Sequence, residues 1–203
     1  MSEVSTQERI KAAAAKVFTM KGLEGARMQD IADEANINKA MLHYYFKNKQ
    51  QLFQVIFEEK ATKVFSALDL FVHGELSFHQ RISKFVESQI SIFSEFPTLP
   101  LFVLMEVRKN PALLEATFRN IPLQIKRSEF QSLVENEISV GNIRKVDPQE
   151  LLLNIIALCV YPIIAEPIFR FLSDMDEIEY RSFINRRKDT ITALITNDLF
   201  IKK

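Results

Sequence analysis

The chain has 203 residues, with 26 basic and 26 acidic side chains, so its formal net charge is zero. This balance excludes a global electrostatic attraction to nucleic acid or membranes, and any such affinity must come from a local segment. A hydrophobic content of 47% with only 4 Gly and 7 Pro indicates a globular protein of long helices and few turns.

Three features of the sequence concern cellular location. Cys159 is the single cysteine, so an intrachain disulfide is impossible. Proteins of a reducing cytosol commonly lack disulfides. The polar N-terminus lacks the apolar stretch of a secretory signal. The most apolar run, residues 155–165, is much shorter than the roughly 20 residues that cross a bilayer. We therefore expect a cytoplasmic protein without a membrane partner.

The first third of the chain carries strong helix signals. Ser5 and Glu8 form a capping box ahead of an apolar stripe, and Gly22 is a typical residue for ending a helix. In chain order, the helices predicted here span residues 6–21, 28–35, 39–46 and 49–73.

The rest of the chain is also predicted to be helical, with proline and glycine marking the breaks. Asn110-Pro111 and Asp147-Pro148 are typical helix starts, and a kink is expected at Pro162. No strand periodicity of useful length occurs. The further predicted helices cover residues 78–93, 101–109, 111–141 with an interruption or restart at Pro122, 148–166, and 177–200. The predicted fold class is therefore all-α.

Residues 36–57 contain no acidic side chain, although acids and bases alternate elsewhere. The stretch NINKAMLHYYFKNKQQL, residues 36–52, holds three lysines together with His43, Tyr44 and Tyr45. Two short helices joined by a turn of about four residues form a helix-turn-helix, whose second helix enters the major groove of DNA. Phosphates repel carboxylates, attract lysines and accept hydrogen bonds from tyrosine hydroxyls. The segment therefore predicts a DNA-binding unit.

The stretch RMQDIADEANINKAMLHYYFKNKQQLF resembles the DNA-binding signature of the tetracycline-repressor (TetR) family. The positions that agree with the family pattern are Ile31, Ala32, Ala35, Leu42, Tyr45, Phe46, Lys49 and Leu52. The resemblance covers residues 9–57, and beyond it only the helical layout and length agree. It implies a three-helix DNA-binding domain at residues 1–50 and a larger helical bundle for ligand binding and dimerisation at residues 51–203.

The chain departs from the family pattern at several positions. Met28 stands where the family has Thr, so the hydroxyl near that helix start is missing, and Arg27 could supply a phosphate contact instead. His43 replaces a phosphate-binding Tyr; it can still donate a hydrogen bond, and Tyr44 is expected to take over part of that role.

The resemblance also assigns DNA-binding roles to matching positions. Lys49, at the start of the long helix, is expected to contact a phosphate. Gln29, Lys39, Ala40 and Met41 occupy positions where family members meet base edges. The predicted DNA-binding residues are Arg27, Gln29, Asn38, Lys39, Ala40, Met41, His43, Tyr44, Tyr45 and Lys49.

Family members usually dimerise through a pair of helices, which here are those starting at Pro148 and Glu177. Apolar residues cover more than one face of the first, which is more than a single core requires. A two-fold interface between these helices would let the dimer bind a palindrome. The predicted interface residues are Leu152, Ile155, Ile156, Phe183, Ile184, Ile191, Leu194 and Ile195.

Irregular packing near prolines is expected to leave a mostly apolar effector pocket, lined by Phe102, Met105, Phe130 and Tyr161. Ordinary core packing of the same four residues is the alternative, and the sequence does not separate the two.

The sequence thus predicts a homodimeric transcriptional repressor. It is expected to bind a palindromic double-stranded operator and to be released from that operator by a small apolar molecule. We expect no catalytic residues, no cofactor and no metal, since the three histidines are far apart and lack Cys or carboxylate neighbours at ligand spacing. Two alternatives stay open. One is a helical lipid- or acyl-binding protein that keeps the helix-turn-helix only as scaffold, and the other is an all-α enzyme acting on an apolar substrate.

Overall fold

The computed structural model describes residues 5–73, 75–120 and 127–200. Within those residues the chain is helical apart from turns and one isolated antiparallel bridge between Ile143 and Phe200, which confirms the all-α prediction. The helices are α1 Thr6–Gly25, α2 Met28–Glu34, α3 Lys39–Tyr45, α4 Lys49–His73, α5 Phe78–Glu95, α6 Leu99–Lys109, α7 Ala112–Asn120, α8 Arg127–Ser139, α9 Pro148–Ile164, α10 Glu166–Ser173 and α11 Glu177–Leu199.

Three of the residues predicted to cap helices do so, whereas α7 begins at Ala112 rather than at the predicted Pro111. The Ser5 hydroxyl accepts from the backbone N–H of Glu8 at 3.2 Å, and the Asn38 side chain accepts from the N–H of Met41 at 2.7 Å. Asp147 accepts from the two backbone N–H groups that follow its proline, at 2.8 and 3.0 Å. These bonds satisfy donors that the first helical turn cannot pair internally, which is why the helices begin at these positions.

Several helix boundaries differ from the prediction, and α10 was not predicted as a separate helix. α6 begins at Leu99 rather than residue 101, because Pro100 lies in the first turn, where no backbone donor is needed. α1 extends to Gly25, but Gly22 within it has φ 68° and ψ 177°, so the helical conformation is interrupted at the predicted stop.

The predicted kink at Pro162 is displaced. α9 continues through the proline, and the 73° bend towards α10 lies at Ala165. Pro162 has no N–H, so the Leu158 carbonyl loses its usual helical donor. Arg187 of α11 supplies one instead, with Nη2 at 3.1 Å from that oxygen. The hydroxyl of Tyr180 donates to the carbonyl of Pro162. These two tertiary bonds stabilise a helix that the proline would otherwise weaken.

The chain divides into two compact units, and the first comprises the described residues of Met1–Thr62 and Leu101–Pro122. Its core is aromatic. Phe18 of α1 meets Phe53 of α4 edge-on, with ring centroids 5.1 Å apart, and Phe53 stacks on Phe57 at 5.8 Å. Phe102 of α6 lies 5.9 and 6.0 Å from these two α4 rings. α6 is therefore packed on the same α4 segment that supports the DNA-binding helices.

The second unit comprises Lys63–Pro100 and the described residues of Leu123–Lys203. α5, α9 and α11 pack around its centre, with α8 and α10 against α9. Phe71, at the end of α4, is surrounded by Phe78, Phe85 and Phe130 at centroid distances of 5.6–5.7 Å. Arg81 donates to the last carbonyls of α4 at 2.7 and 2.9 Å, which satisfies acceptors that a helix end leaves open.

No single helix among residues 5–73, 75–120 and 127–200 is long and apolar enough to cross a membrane, although two bent helix pairs would meet both conditions together. The same residues contain no group of three His, Cys, Asp or Glu side chains placed to hold a metal ion.

Candidate nucleic-acid interface

The turn between α2 and α3 is held in one conformation by backbone and side-chain contacts. Asn36 has φ 54°, in the left-handed region that Asn tolerates better than most residues, as its position predicted. Arg9 of α1 donates to the carbonyl of Ala35 at 2.7 Å and to that of Asn36 at 3.4 Å. The sequence did not reveal this role of Arg9, because its partners lie 26 and 27 residues away. The angle between α2 and α3 therefore depends on α1 as well as on the turn.

α3 is anchored on one face and free on the other. Leu42 and Phe46 are 0% and 4% exposed and attach the helix to the core. The rest of its surface carries the predicted DNA-contacting residues of this helix, all of them exposed: Lys39, Ala40, Met41, His43, Tyr44 and Tyr45. Tyr44 is 84% exposed and meets Tyr45 edge-on at 5.3 Å, so one aromatic ring orients the other. The two phenol hydroxyls are available as donors to phosphate oxygens.

The positive charge of this face is not neutralised by the protein itself. Within the described residues Lys39 and Lys47 form no ion pair, and the ring of His43 lies 3.3 Å from a backbone carbonyl rather than a carboxylate. α2 carries three acids, and α1 neutralises two of them, since Lys16 pairs with Glu34 at 2.7 Å and Lys21 pairs with Asp30. Lys21 donates to Asp30 at 2.8 Å, and this hydrogen bond lowers the pKa of the Asp30 carboxyl below its ordinary value. The free lysines are thus left to attract phosphate.

Two predicted contact residues form local hydrogen bonds that still leave polar atoms free. Gln29 donates through Nε2 to the Asp33 carboxylate at 2.7 Å, so its carbonyl oxygen stays available. Asn38 accepts through Oδ1 from the N–H of Met41, and its amide NH₂ group stays available. Arg27 is exposed at the start of α2. All three therefore keep a group that can hydrogen-bond to DNA.

Lys49 has a structural role that the sequence did not reveal. Its ammonium donates to the carbonyl of Ala26 at 2.9 Å and to that of Glu24 at 3.2 Å. Glu24 lies in the last turn of α1 and Ala26 lies between α1 and α2, whereas Lys49 begins α4. Because an ammonium has three donors, one remains for a phosphate. The predicted phosphate contact of Lys49 stays a prediction, and the observed bonds show that this side chain also holds the DNA-binding helices together.

The residues of the predicted effector pocket are divided between the two units. Phe102 is 6% exposed in the aromatic core of the first unit, and Met105 in the same helix is 47% exposed. Phe130 is 6% exposed and packs on Phe71 in the second unit, where Tyr161 is 67% exposed. Neither unit on its own gathers the four into a cavity, so the predicted pocket remains a prediction.

Two cavities lie wholly within the second unit. One, of about 540 Å³, has Phe71 and Phe85 in its wall and Lys84 at its rim. The other, of about 580 Å³, is lined by residues of α5, α9, α10 and α11, including Phe93 and Tyr180. None of the four predicted pocket residues lines either cavity.

The predicted dimer residues fall into two groups. Four are buried within the chain's own core and cannot reach a second chain: Ile155, Ile184, Ile191 and Ile195. Leu152 and Phe183 are half-buried at the edge of this core. Ile156 and Leu194 are 36% and 57% exposed, and the neighbouring Leu153, which the sequence analysis did not single out, is 61% exposed. α9 and α11 thus present an outward apolar face in addition to the inward one.

Comparison with known proteins agrees with this geometry. Residues 10–56 match the model of a family described as bacterial regulatory proteins, tetR family. The chain is 26% identical over 149 residues to the HTH-type transcriptional regulator YhgD of Bacillus subtilis, covering 72% of this chain and 76% of that protein. It is 41% identical over 56 residues to the HTH-type transcriptional repressor SCO4008 of Streptomyces coelicolor, covering 28% and 29% of the two chains. A TetR transcriptional regulator from Chloroflexus aurantiacus has a similar structure, with a TM-score of 0.69, 25% identity and 97% coverage of each chain.

Proposed function

This chain is a DNA-binding transcriptional regulator of the TetR family, and we propose that it acts in the cytoplasm as a homodimeric repressor of a palindromic operator. Residues 1–50 bind DNA in this proposal, and residues 51–203 dimerise and bind an effector. The observation that carries the proposal is the exposed, acid-free surface formed by α3 and the residues that follow it. Lys39, Lys47, Tyr44 and Tyr45 lie on this surface, and Leu42 anchors the helix to the core. The repressor assignment is supported by the name of the SCO4008 relative.

The division of roles on this face follows from chemistry. Lys39 is in the first turn of α3, where residues of a recognition helix meet base edges, and its ammonium can donate to guanine O6 or N7. Met41, 43% exposed, can lie against a thymine methyl. Lys47, Tyr44 and Arg27 are polar and exposed around these positions and supply phosphate contacts, which position the protein without carrying base information.

A dimer explains the outward apolar face of α9 and α11. Leu153, Ile156 and Leu194 would be buried if the same face of a second chain packed on it about a two-fold axis. Two-fold symmetry of the protein then requires two-fold symmetry of the operator, with half-sites about one helical turn apart or a multiple of it.

The effector in this proposal is a small, mostly apolar molecule, and each of the two cavities in the second unit offers it two aromatic rings beside charged and hydroxyl side chains. The effector causes release of DNA if it binds more tightly to a dimer shape that cannot span two half-sites. This difference in affinity between the two dimer shapes is sufficient.

Selection of tight-binding duplexes from random DNA tests the operator. We expect an inverted repeat, because each α3 of the dimer reads one half-site. A consensus without two-fold symmetry would contradict the dimeric arrangement, and the absence of any enriched sequence would contradict the regulatory function.

Charge substitution tests the interface. Ile191 is 0% exposed within its own chain, so Ile191→Glu is expected to unfold the protomer and is unsuitable. Leu194→Glu should instead give a folded monomer by sedimentation, with lost operator binding. Leu76→Glu, at a 44% exposed position outside this face, is the control and should remain a dimer. A dimeric Leu194→Glu protein would show that the interface lies elsewhere.

A further inference from the structure

The chain changes direction between α1 and α2 at residues 22–26, which we call the corner. Gly22 has φ 68°, a conformation that side chains other than Gly rarely adopt. α2 starts at Met28, only two residues after the corner. The direction in which the corner leaves α1 therefore sets the direction of α2 and, through the fixed turn, that of α3.

α6 contacts the corner with a buried charge. Glu106 is 6% exposed, and its Oε1 accepts from Lys109 Nζ at 3.2 Å. A Cβ added at Gly22 would lie 3.0 Å from Glu106 Oε1 and 3.4 Å from Lys109 Nζ. Glycine is thus needed at position 22 for its backbone angle and also for the space that the carboxylate occupies. α6 residues from Leu101 onward belong to the same compact unit as the corner.

α4 contacts the corner from its N-terminus. Lys49 donates to the carbonyls of Glu24 and Ala26, so the corner is bonded to a charged side chain of α4 and lies beside the Glu106 carboxylate of α6. Neither Glu106 nor Lys109 belongs to the helix-turn-helix. Burying a carboxylate is costly even when it is paired, and an apolar side chain of similar size would often be at least as stable. A buried carboxylate at this position, paired with the half-exposed Lys109, is explained if it selects one arrangement of the corner.

We propose that Glu106 and Lys109 are positioning residues for DNA binding, which hold the Gly22 corner so that α2 and α3 are presented in a single orientation. The proposal rests on the proposed function, because it presumes that α3 reads operator DNA. In the proposed arrangement α6 affects base recognition in the effector-free protein. The effect passes through the Glu106–Lys109 ion pair and Gly22, none of which touches a nucleotide.

The decisive variant is Glu106→Gln, which keeps the shape of the side chain and removes its charge. Operator and random-duplex affinities would be measured by fluorescence anisotropy at a temperature where circular dichroism shows the variant fully folded. We expect a roughly tenfold loss of operator affinity, equivalent to about one base contact, with the affinity for random DNA nearly unchanged. Base contacts need an accurate orientation of α3, whereas phosphate attraction does not.

Gly22→Ala and Gly141→Ala form a matched pair. Comparing them separates the effect of crowding Glu106 from the effect of backbone strain alone. Gly141 has φ 73° and nothing within 4 Å of an added Cβ, whereas Gly22 has φ 68° and faces Glu106. Both variants should lose stability, but only Gly22→Ala should lose operator affinity. Adding Glu106→Ala to Gly22→Ala removes the close contact, so the double variant should lose less affinity than the product of the two single losses.

The possible results are distinguishable. If the parent protein enriches and binds an operator but Glu106→Gln binds it equally well, the positioning role is wrong and the proposed function stands. If Gly22→Ala does not fold, Glu106→Gln alone decides. Equal losses of operator and random-DNA affinity in Glu106→Gln would also overturn the inference, because a general loss of structure would explain them. A parent protein that binds no DNA overturns both proposals.

Discussion

Replacement of Lys49 by methionine separates its structural role from its predicted phosphate contact. Methionine keeps an unbranched apolar stem of similar length but has no donor. The substitution therefore removes the hydrogen bonds to the carbonyls of Glu24 and Ala26 and leaves the packing of the stem largely intact.

The expected cost follows from the acceptors that are left behind. Ala26 is 1% exposed, so water cannot easily replace the lost donor at its carbonyl. A hydrogen bond to a charged group contributes about 1.5–3 kcal/mol, and a buried polar group left unpaired costs about 1–3 kcal/mol. We expect Lys49→Met to lower the free energy of unfolding by about 1–3 kcal/mol. For a chain of this size that corresponds to a fall in Tm of roughly 2–12 °C.

The assay combines thermal melting with the salt dependence of DNA binding. Lys47→Met is the control, because Lys47 is exposed and its ammonium forms no ion pair within the described residues. Lys47→Met should keep its stability within about 0.5 kcal/mol and reduce the salt slope by ~0.9 for each lost contact. A Lys49→Met protein that melts like the parent, with the salt slope of Lys47→Met, would refute the structural role of Lys49.

Three further substitutions or treatments have definite expected results. Lys39→Ala should relax base preference at one position of each half-site, with ~1–3 kcal/mol of discrimination lost, and operator selection with the variant measures this. Phe102→Ala should destabilise the first unit by about 3–5 kcal/mol in thermal melting, because the ring is 6% exposed between two other aromatic rings. Burial raises the pKa of the Cys159 thiol from 9.0 to about 12, so the thiol should resist iodoacetamide at pH 8 until the protein unfolds. Because its folded pKa is the higher one, this contribution to stability is complete below pH 9 and is lost between pH 9 and about 12.

Local features of the DNA-binding domain were predictable because they depend on neighbouring residues. The cap at Asn38 and the left-handed Asn36 each follow from one side chain and the next few backbone groups. The contacts of Arg9 and Lys49 with carbonyls were not predictable, since these partners are 23–27 residues away and any basic side chain could serve either carbonyl or phosphate.

The helices of the second unit show a different limit. The apolar pattern identified α9 as more apolar than one core requires and gave α11 an apolar stripe, but it could not assign the inward and outward faces, because both faces carry apolar residues. Ile155 and Ile156 are adjacent and chemically identical, yet the first is 0% and the second 36% exposed. Only the packing of the chain on itself decides which of them is free for a partner.

Binding of a selected operator duplex across a range of salt concentrations tests most directly whether the α3 face binds DNA. Arg27, Lys47 and Lys49 of two protomers would give up to six phosphate contacts, and ~0.9 counterions are released per contact. We expect the affinity to fall by roughly 10³–10⁵-fold between about 50 and 200 mM salt, and the fall to be shallower in Lys47→Met. An affinity that does not change with salt, or no binding at the lowest salt concentration, would contradict DNA recognition by this face.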